Sequence, residues 1–319
     1  MKYNILVTGA GAIIGYGIIQ SLKKSNLNLN IVATDIYNDA YGKNIADSFC
    51  QGVLASSDEY IDRINSIVEK EKIDLIIPGI EQDLYQLFLN KDKVNAKIVL
   101  NNELSIQLSK DKWRTFTYLN EHFSNNLIPT LMHKNFEECA QELGLPFLLK
   151  PRSSYASKGI HIINNQREFD FFTEGQMENL IFQKIIGTMN SEYTVSVFGD
   201  GNGGFYDSIS LKRTLSGEGA TGKATFVDDE KINEYVAELV RVLQPIGPTN
   251  IQLRIENEIP YLLEINPRIS SACSLRTSFG YNEPEMCVLY FLFNQSIAQS
   301  IKKPGSAVRF IDDYITYEN

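Results

Sequence analysis

The chain of 319 residues is poor in the residues that build metal and redox centres. It has four cysteines, Cys50, Cys139, Cys273 and Cys287, scattered without CxxC spacing, and only three histidines, His122, His133 and His161. No two of these stand at ligand spacing, which excludes the tetrahedral His/Cys sites, and the cysteines read as reduced, buried thiols. Positive charge is also short: 30 Lys and Arg stand against 39 Asp and Glu, a net charge of −9. A general nucleic-acid or anionic-membrane surface is therefore not expected, although a local basic pocket is allowed. No apolar run approaches the roughly 18 residues needed to span a bilayer. The opening "MKYNILVTGAG" runs straight into a strand pattern without a signal-peptide core. These absences predict a cytoplasmic protein that binds neither nucleic acid nor membrane, and a homodimer is allowed.

Residues 1 to 105 alternate apolar runs and helical patterns. "NILVTG", "NIVATD", "DLIIPG" and "AKIVLN" read as strands; "GYGIIQSLKKS" and "DEYIDRINSIVEKE" read as helices. That βαβ series predicts a parallel sheet. Further on, "KDKWRTFTYLNEHF" and "DEKINEYVAELVRVLQPIG" read as helices, and "PEMCVLYFLFNQSIAQSI" as a buried one. "FLLKPRSSYASKGIHII" reads as two β runs joined by a polar loop, and "NLIFQKII" and "SEYTVSVFGDGNGGFYDSISLKR" as further strands.

Two glycine motifs invite misreading. "TGAGAIIG" after the first strand, with Asp35 closing the second, resembles a dinucleotide turn, and an NAD(P)-dependent oxidoreductase of short-chain type is the alternative it supports. The third glycine of the usual fingerprint would fall at Ile14, and none of the 16 tyrosines has a lysine four residues on. The simpler reading is a tight strand-to-helix turn that needs glycines for close packing. The second motif, "GEGATGKA", has Ala224 in place of a Mg²⁺-binding hydroxyl and no helix pattern behind it. It is not a phosphate loop, although Lys223 remains a candidate anion contact.

The chemistry concentrates in "NIQLRIENEIPYLLEINPR", residues 250 to 268. Alternate side chains of a strand share a face, so Asn250, Gln252 and Arg254 point away from Ile251, Leu253 and Ile255. In the return strand Leu262, Glu264 and Asn266 share the face opposite Leu263 and Ile265. A hairpin folded about Glu258 sets Gln252 across from Glu264. A carboxylate between amide oxygens suits Mg²⁺, which completes its octahedron with water and phosphate oxygens.

"YLLEINPRIS" resembles the metal-binding strand of the ATP-grasp superfamily, in its carbamoyl-phosphate-synthase large-subunit-like and biotin-carboxylase-like branch. "SKDKWRTFTYL", "FLLKPRSSYASKGI" and "LIFQKIIGTMNSEYTV" resemble other motifs of that superfamily and occur in its order. The resemblance implies an α/β chain with a parallel, Rossmann-like pre-ATP-grasp domain over residues 1–105. A two-subdomain ATP-grasp fold of α+β character would follow over 106–319, with its lid at about 115–182. It implies ATP and Mg²⁺ or Mn²⁺ as cofactors. Lys112, Lys150, Ser153, Ser157 and Gly159 would meet the phosphates; Ser154 and Lys158 lie in the same loop. Gln183, Lys184 and Ile186 would frame adenine, and Glu192 would hold ribose. Gln252, Glu264 and Asn266 would bind metal. Arg268 would act at the γ-phosphate, with Lys150 and Asn266 as its catalytic companions. The "GTMNSE" segment is longer than is usual, and residue 252 is Gln rather than an acid. The implied activity is ligation of a carboxylate (or bicarbonate or carbamate) to an amine through an acylphosphate. Read from the residues alone, Arg213, Lys223 and Arg276 are candidate contacts for a substrate anion. A non-catalytic nucleotide-binding module is a third reading, opposed by the retention of Lys112, Lys150, Glu264, Asn266 and Arg268.

Overall fold

The computed structural model describes residues 2–153, 159–217, 219–310 and 315. Three sheets organise them. The first is fully parallel, with β1 (Tyr3–Val7), β2 (Leu29–Asp35), β3 (Ser48–Gln51), β4 (Leu75–Ile77) and β5 (Lys97–Ile98) in the order β3-β2-β1-β4-β5. Its helices are α1 (Ile13–Lys23), α2 (Tyr60–Glu71) and α3 (Glu81–Leu89). Both faces are covered, as a parallel sheet requires. Leu6, Val32 and Ile76 pack with α2 through Ile64 and Ile67, while Ile5, Val7 and Ile31 pack with α1 through Ile18 and Ile19.

Two helices follow, α4 (Glu103–Ser109) and α5 (Lys112–His122). They are separate because the Asp111 carboxylate caps the second, accepting the backbone N–H groups of Trp113 and Arg114. A four-stranded antiparallel sheet comes next: β6 (Thr130–Leu131), β7 (Phe147–Pro151), β8 (His161–Ile163) and β9 (Leu180–Lys184), in the order β6-β9-β7-β8. With α6 (Phe136–Leu143) and α7 (Gln166–Thr173) it buries its own core around Phe147, Phe169 and Phe182.

The third sheet is antiparallel and six-stranded: β10 (Glu192–Asp200), β11 (Phe205–Leu215), β12 (Thr221–Val227), β13 (Ile246–Glu256), β14 (Ile259–Asn266) and β15 (Ser306–Val308), in the order β14-β13-β10-β11-β12-β15. One face packs on the amphipathic α8 (Glu230–Leu243), with Leu119 and Phe123 joining the same core. The other face is polar over β13 and β14. Where it turns apolar it meets α9 (Cys273–Ser278), α10 (Glu283–Cys287) and α1 in a core shared with the parallel sheet. The helix foreseen over "PEMCVLYFLFNQSIAQSI" stops early. α10 continues as a π-helical segment, Val288–Leu292, and Asn294 then adopts a left-handed φ of 55°, which ends it.

The glycine turn after β1 is a packing device. A Cβ on Gly15 would stand 2.2 Å from the Gly9 carbonyl oxygen, and one on Gly79 would stand 2.2 Å from that of Thr8. Asp35 is already engaged: its carboxylate accepts the Gly11 N–H at 2.8 Å and the Tyr37 N–H at 2.9 Å. One oxygen thus ties the glycine turn to the end of β2, and the other closes the turn that follows β2. "GEGATGKA" likewise runs into β12, a strand, so no helix N-terminus faces a phosphate there.

Candidate functional site

A cleft opens between the polar face of the large sheet, α5 and the four-stranded sheet. Lys112, Lys150, Gln183 and Glu264 line it, with an apolar wall that includes Phe116, Leu127, Ile128 and Leu262. Local bonds bring the two lysines together. Lys112 is the first residue of α5, and its backbone N–H donates to the Arg152 carbonyl at 3.0 Å. The Arg152 guanidinium in turn pairs with the capping Asp111. The end of β7 is thereby tied to the start of α5. The Lys150 ammonium donates to Gln183 Oε1 at 2.5 Å, and Gln183 Nε2 donates to the Thr130 hydroxyl at 3.0 Å.

Burial dominates the electrostatics. Desolvation, aided by Lys112 and Arg254, lowers the Lys150 ammonium to about 8, and Glu264 and Glu192 only partly oppose it. Lys112 is lowered for the same reason, against the pull of Glu264, Glu81 and Asp111. Glu264 moves the other way. Burial raises it, Glu81 adds to the rise, and Lys112, Arg268 and Lys150 draw it back. A phosphate chain would recharge the lysines, since an opposite charge favours the charged form. Nucleotide binding is therefore expected to take up protons at pH 8.5–9, between the lowered value and the ordinary 10.5. Without nucleotide, the unfolded chain binds more protons across that window. This lysine's penalty on the fold is then complete below pH 8 and fades as pH rises toward 10.5. Calorimetry in buffers of different ionisation enthalpy reads the uptake, and Lys150→Met should reduce it to the share that Lys112 contributes. Equal heats in all buffers would contradict the assignment.

The hairpin forms as its alternation implies. Gln252 lies opposite Glu264 and Asn250 opposite Asn266, and Asn257 and Glu258 make the turn with left-handed φ. One expectation fails. The register shifts beside Leu253, which pairs with Leu262, so Leu263 is the extra residue of a bulge. Leu262 thereby joins Ile251, Leu253 and Ile265 in the α8 core rather than sharing the face of Glu264. Among the described residues no group of three or more His, Cys, Asp or Glu could hold a metal. The set here is of another kind, one carboxylate among amides. It suits a divalent cation, because burial raises Glu264 and a bound positive charge would restore its charged form, with the Gln252 amide opposite and Asn266 two residues along the same strand.

Arg268, beyond Pro267, donates to Glu81 Oε1 at 2.5 Å, to Asn266 Oδ1 at 3.1 Å and to the Ile269 carbonyl at 3.1 Å. Glu81 gave no signal in the sequence. "PGIEQDL" reads as an ordinary helix start, and only the tertiary fold carries α3 to the end of β14.

Other candidates fall elsewhere. Ser153 donates its hydroxyl to the Lys110 carbonyl at 2.8 Å. Gly159, with φ of 74°, packs so close to the Pro151 ring that a Cβ would stand 2.8 Å from it. Ser154, Ser157 and Lys158 lie outside the described residues. Lys184 and Ile186 do not line the cleft; the Lys184 side chain is exposed, and Ile186 is buried with its carbonyl accepting from Arg254. Glu192 is buried, accepting from Arg213 at 2.6 Å and from Arg254 at 3.4 Å, so both of its oxygens are engaged by guanidinium groups.

Arg213, Lys223 and Arg276, expected as contacts for a substrate anion, are not brought together. Arg213 is spent on Glu192 and Thr221. Lys223 pairs with Thr214 in the β11–β12 ladder, one residue out of step with Arg213 and Ala224, so it faces the opposite side of the sheet and is exposed. Arg276 is wholly buried, pairing with Glu283 at 3.1 Å and donating to Ser270, Thr194 and Asn250. Arg276→Ala would strand the Glu283 carboxylate, and breaking such a buried pair typically costs about 3–5 kcal/mol. A chemical denaturation midpoint equal to wild type would contradict that structural role.

The comparisons agree with this architecture. A family model described as "PylC-like, N-terminal domain" matches residues 5–100, and one described as "ATP-grasp in the biosynthetic pathway with Ter operon" matches residues 177–313. The carbamoyl phosphate synthase arginine-specific large chain of Halalkalibacterium halodurans is 23% identical over 295 residues, covering 84% of this chain and 27% of that relative. The chain thus spans about a quarter of that relative's length. Among solved structures, N5-carboxyaminoimidazole synthetase from Staphylococcus aureus, complexed with ADP, superposes with a TM-score of 0.76 at 20% identity, covering 98% of this chain and 83% of that one. The biotin carboxylase domain dimer of Hydrogenobacter thermophilus 2-oxoglutarate carboxylase, in complex with MgADP, ADP and bicarbonate, gives a TM-score of 0.71 at 17% identity, covering 95% and 73%. By its sheets, its ordered motifs and these matches, the chain has the ATP-grasp fold, with a PylC-like N-terminal domain.

Proposed function

We propose that the chain is an ATP-dependent ligase that joins a small carboxylic acid, or bicarbonate or carbamate, to an amine through an acylphosphate. The observation that carries this is the convergence of Lys112, Lys150 and Glu264 in one cleft, with Gln252 and Asn266 beside that carboxylate. Phosphoryl transfer needs positioned cations and no covalent nucleophile, and the cleft offers that composition. Lys112 and Lys150 neutralise the phosphate chain, and the apolar wall from Phe116 to Leu262 receives the adenine. Glu264, Gln252 and Asn266 would hold Mg²⁺ or Mn²⁺, which when bound neutralises phosphate charge. The substrate carboxylate attacks the γ-phosphorus as the bond to the bridging oxygen breaks, and ADP leaves with that electron pair. The amine then attacks the acyl carbon, phosphate leaves, and the nitrogen loses a proton.

The solved neighbours described with ADP, MgADP and bicarbonate support this choice of ligands, and the one described as a dimer is compatible with a homodimer here. We place the pre-ATP-grasp domain at residues 1–105 and the ATP-grasp domain at 106–319; its lid, expected at about 115–182, we place from β6 to β9, because Leu119 and Phe123 pack into the α8 core instead. A cytoplasmic location suits such an enzyme; among the described residues no helix is long and apolar enough to cross a membrane. The test is phosphate release from ATP across pooled acids and amines. Release that requires one acid and one amine together is expected. Release with no pool, alongside reduction or oxidation of a nicotinamide cofactor, would replace this reading with the oxidoreductase.

A further inference from the structure

We propose that Glu81 is a positioning residue, through which the N-terminal domain holds the Arg268 guanidinium in place for the phosphoryl group in flight. This rests on reading the cleft as an ATP site. The first ground is geometric. Glu81 opens α3, immediately after a turn locked by the close approach of Gly79 to Thr8 and Gly15. Its carboxylate sits in the first turn, where the helix dipole favours a negative charge. From that fixed point it takes the same Arg268 Nη2 that also reaches Asn266 Oδ1, while Nη1 is held by the Ile269 carbonyl. Acceptors from two domains therefore fix one planar group.

The second ground is what remains unmatched. Arg268 Nε and Asn266 Nδ2 are buried donors without partners, and Asn266 is 4% exposed. Arg254 Nε, Arg276 Nε and Asn250 Nδ2 are also unpartnered, and what sets these two donors apart is their place at the end of β14, the strand that carries Glu264. The Glu81 charge also acts on Lys112 and Glu264, two residues that line the cleft.

The experiment measures Mg-ADP affinity by calorimetry with and without aluminium fluoride, a stand-in for the phosphoryl group in transfer. Wild type should bind ADP more tightly with fluoride present. Glu81→Ala should lose at least about tenfold of that gain, with affinity for ADP alone unchanged. Glu81→Gln keeps an acceptor for Nη2 and should recover most of it. Arg268→Lys should lose the same gain, and adding Glu81→Ala to it should cost nothing more, since the two act as one unit. Full retention of the gain in Glu81→Ala overturns the proposal, as does an equal loss of affinity with and without fluoride, the mark of a simple staple. No fluoride gain in wild type also overturns it while leaving the ATP site standing. No ADP binding by wild type removes the ATP reading itself, and this proposal with it.

Discussion

Glu264→Ala is expected to abolish turnover while leaving the fold intact. The substitution removes the one carboxylate from a set whose other members, Gln252 and Asn266, are neutral amides. No compensating anion stands at the paired position, which Gln252 occupies. A divalent cation would then rest on amide oxygens alone, and hard cations depend strongly on ligand charge. Stability should not suffer. Glu264 is desolvated and raised above the ordinary carboxylate range, so folding already carries the cost of its charge. Removing it should leave the melting temperature equal or higher. Gln252→Ala should weaken the metal more mildly, since one neutral oxygen is lost and the charge remains. Mn²⁺ titration by electron paramagnetic resonance in the presence of ADP reads the site without relying on turnover. Wild-type Mn²⁺ affinity in Glu264→Ala would contradict the metal assignment.

Arg268→Lys is expected to lower kcat by on the order of 10² or more with little change in ADP affinity. Lysine keeps the positive charge but not the planar fork. The fork matters here because the guanidinium is shared among Glu81, Asn266 and the Ile269 carbonyl. A single ammonium cannot serve those three acceptors and present a further N–H to the substrate in one geometry. If the arginine acts mainly as charge redistributes in the transition state, its loss appears in kcat rather than in binding. Lys150→Ala should show the opposite pattern, weakening ATP binding, because the phosphates it faces are charged in the ground state. Steady-state kinetics with ADP affinity measured separately distinguish the two. An unchanged kcat in Arg268→Lys would leave the residue as a structural contact.

The sequence carried local information well and tertiary partnership poorly. Alternation along residues 250–256 and 261–266 was enough to read two strands with one polar face, because strand periodicity is a local property; the turn at Asn257 and Glu258 alone would set Gln252 against Leu263, and the bulge is what returns it to Glu264. The bulge at Leu263 was hidden, since one extra residue leaves the pattern of apolar side chains almost unaltered. The glycine turn was legible as packing from the missing third glycine. The arginines misled for a physical reason. Whether an arginine meets solvent, substrate or a buried acid depends on which carboxylate the fold brings to it. Glu283 took Arg276, and Glu192 took both Arg213 and Arg254. Glu81 was invisible for the same reason, being delivered from the parallel-sheet domain to the end of β14.

The measurement that tests the central claim most directly is calorimetric titration with Mg-ADP and, separately, with NADH. The claim is that the cleft between Lys112, Lys150 and Glu264 holds an adenine nucleotide, while the glycine turn is closed on Asp35. The account predicts Mg-ADP binding at one site per chain, weakened by Lys150→Ala, and no heat with NADH. NADH binding that competes with ADP, or no ADP binding by the intact chain, would contradict it.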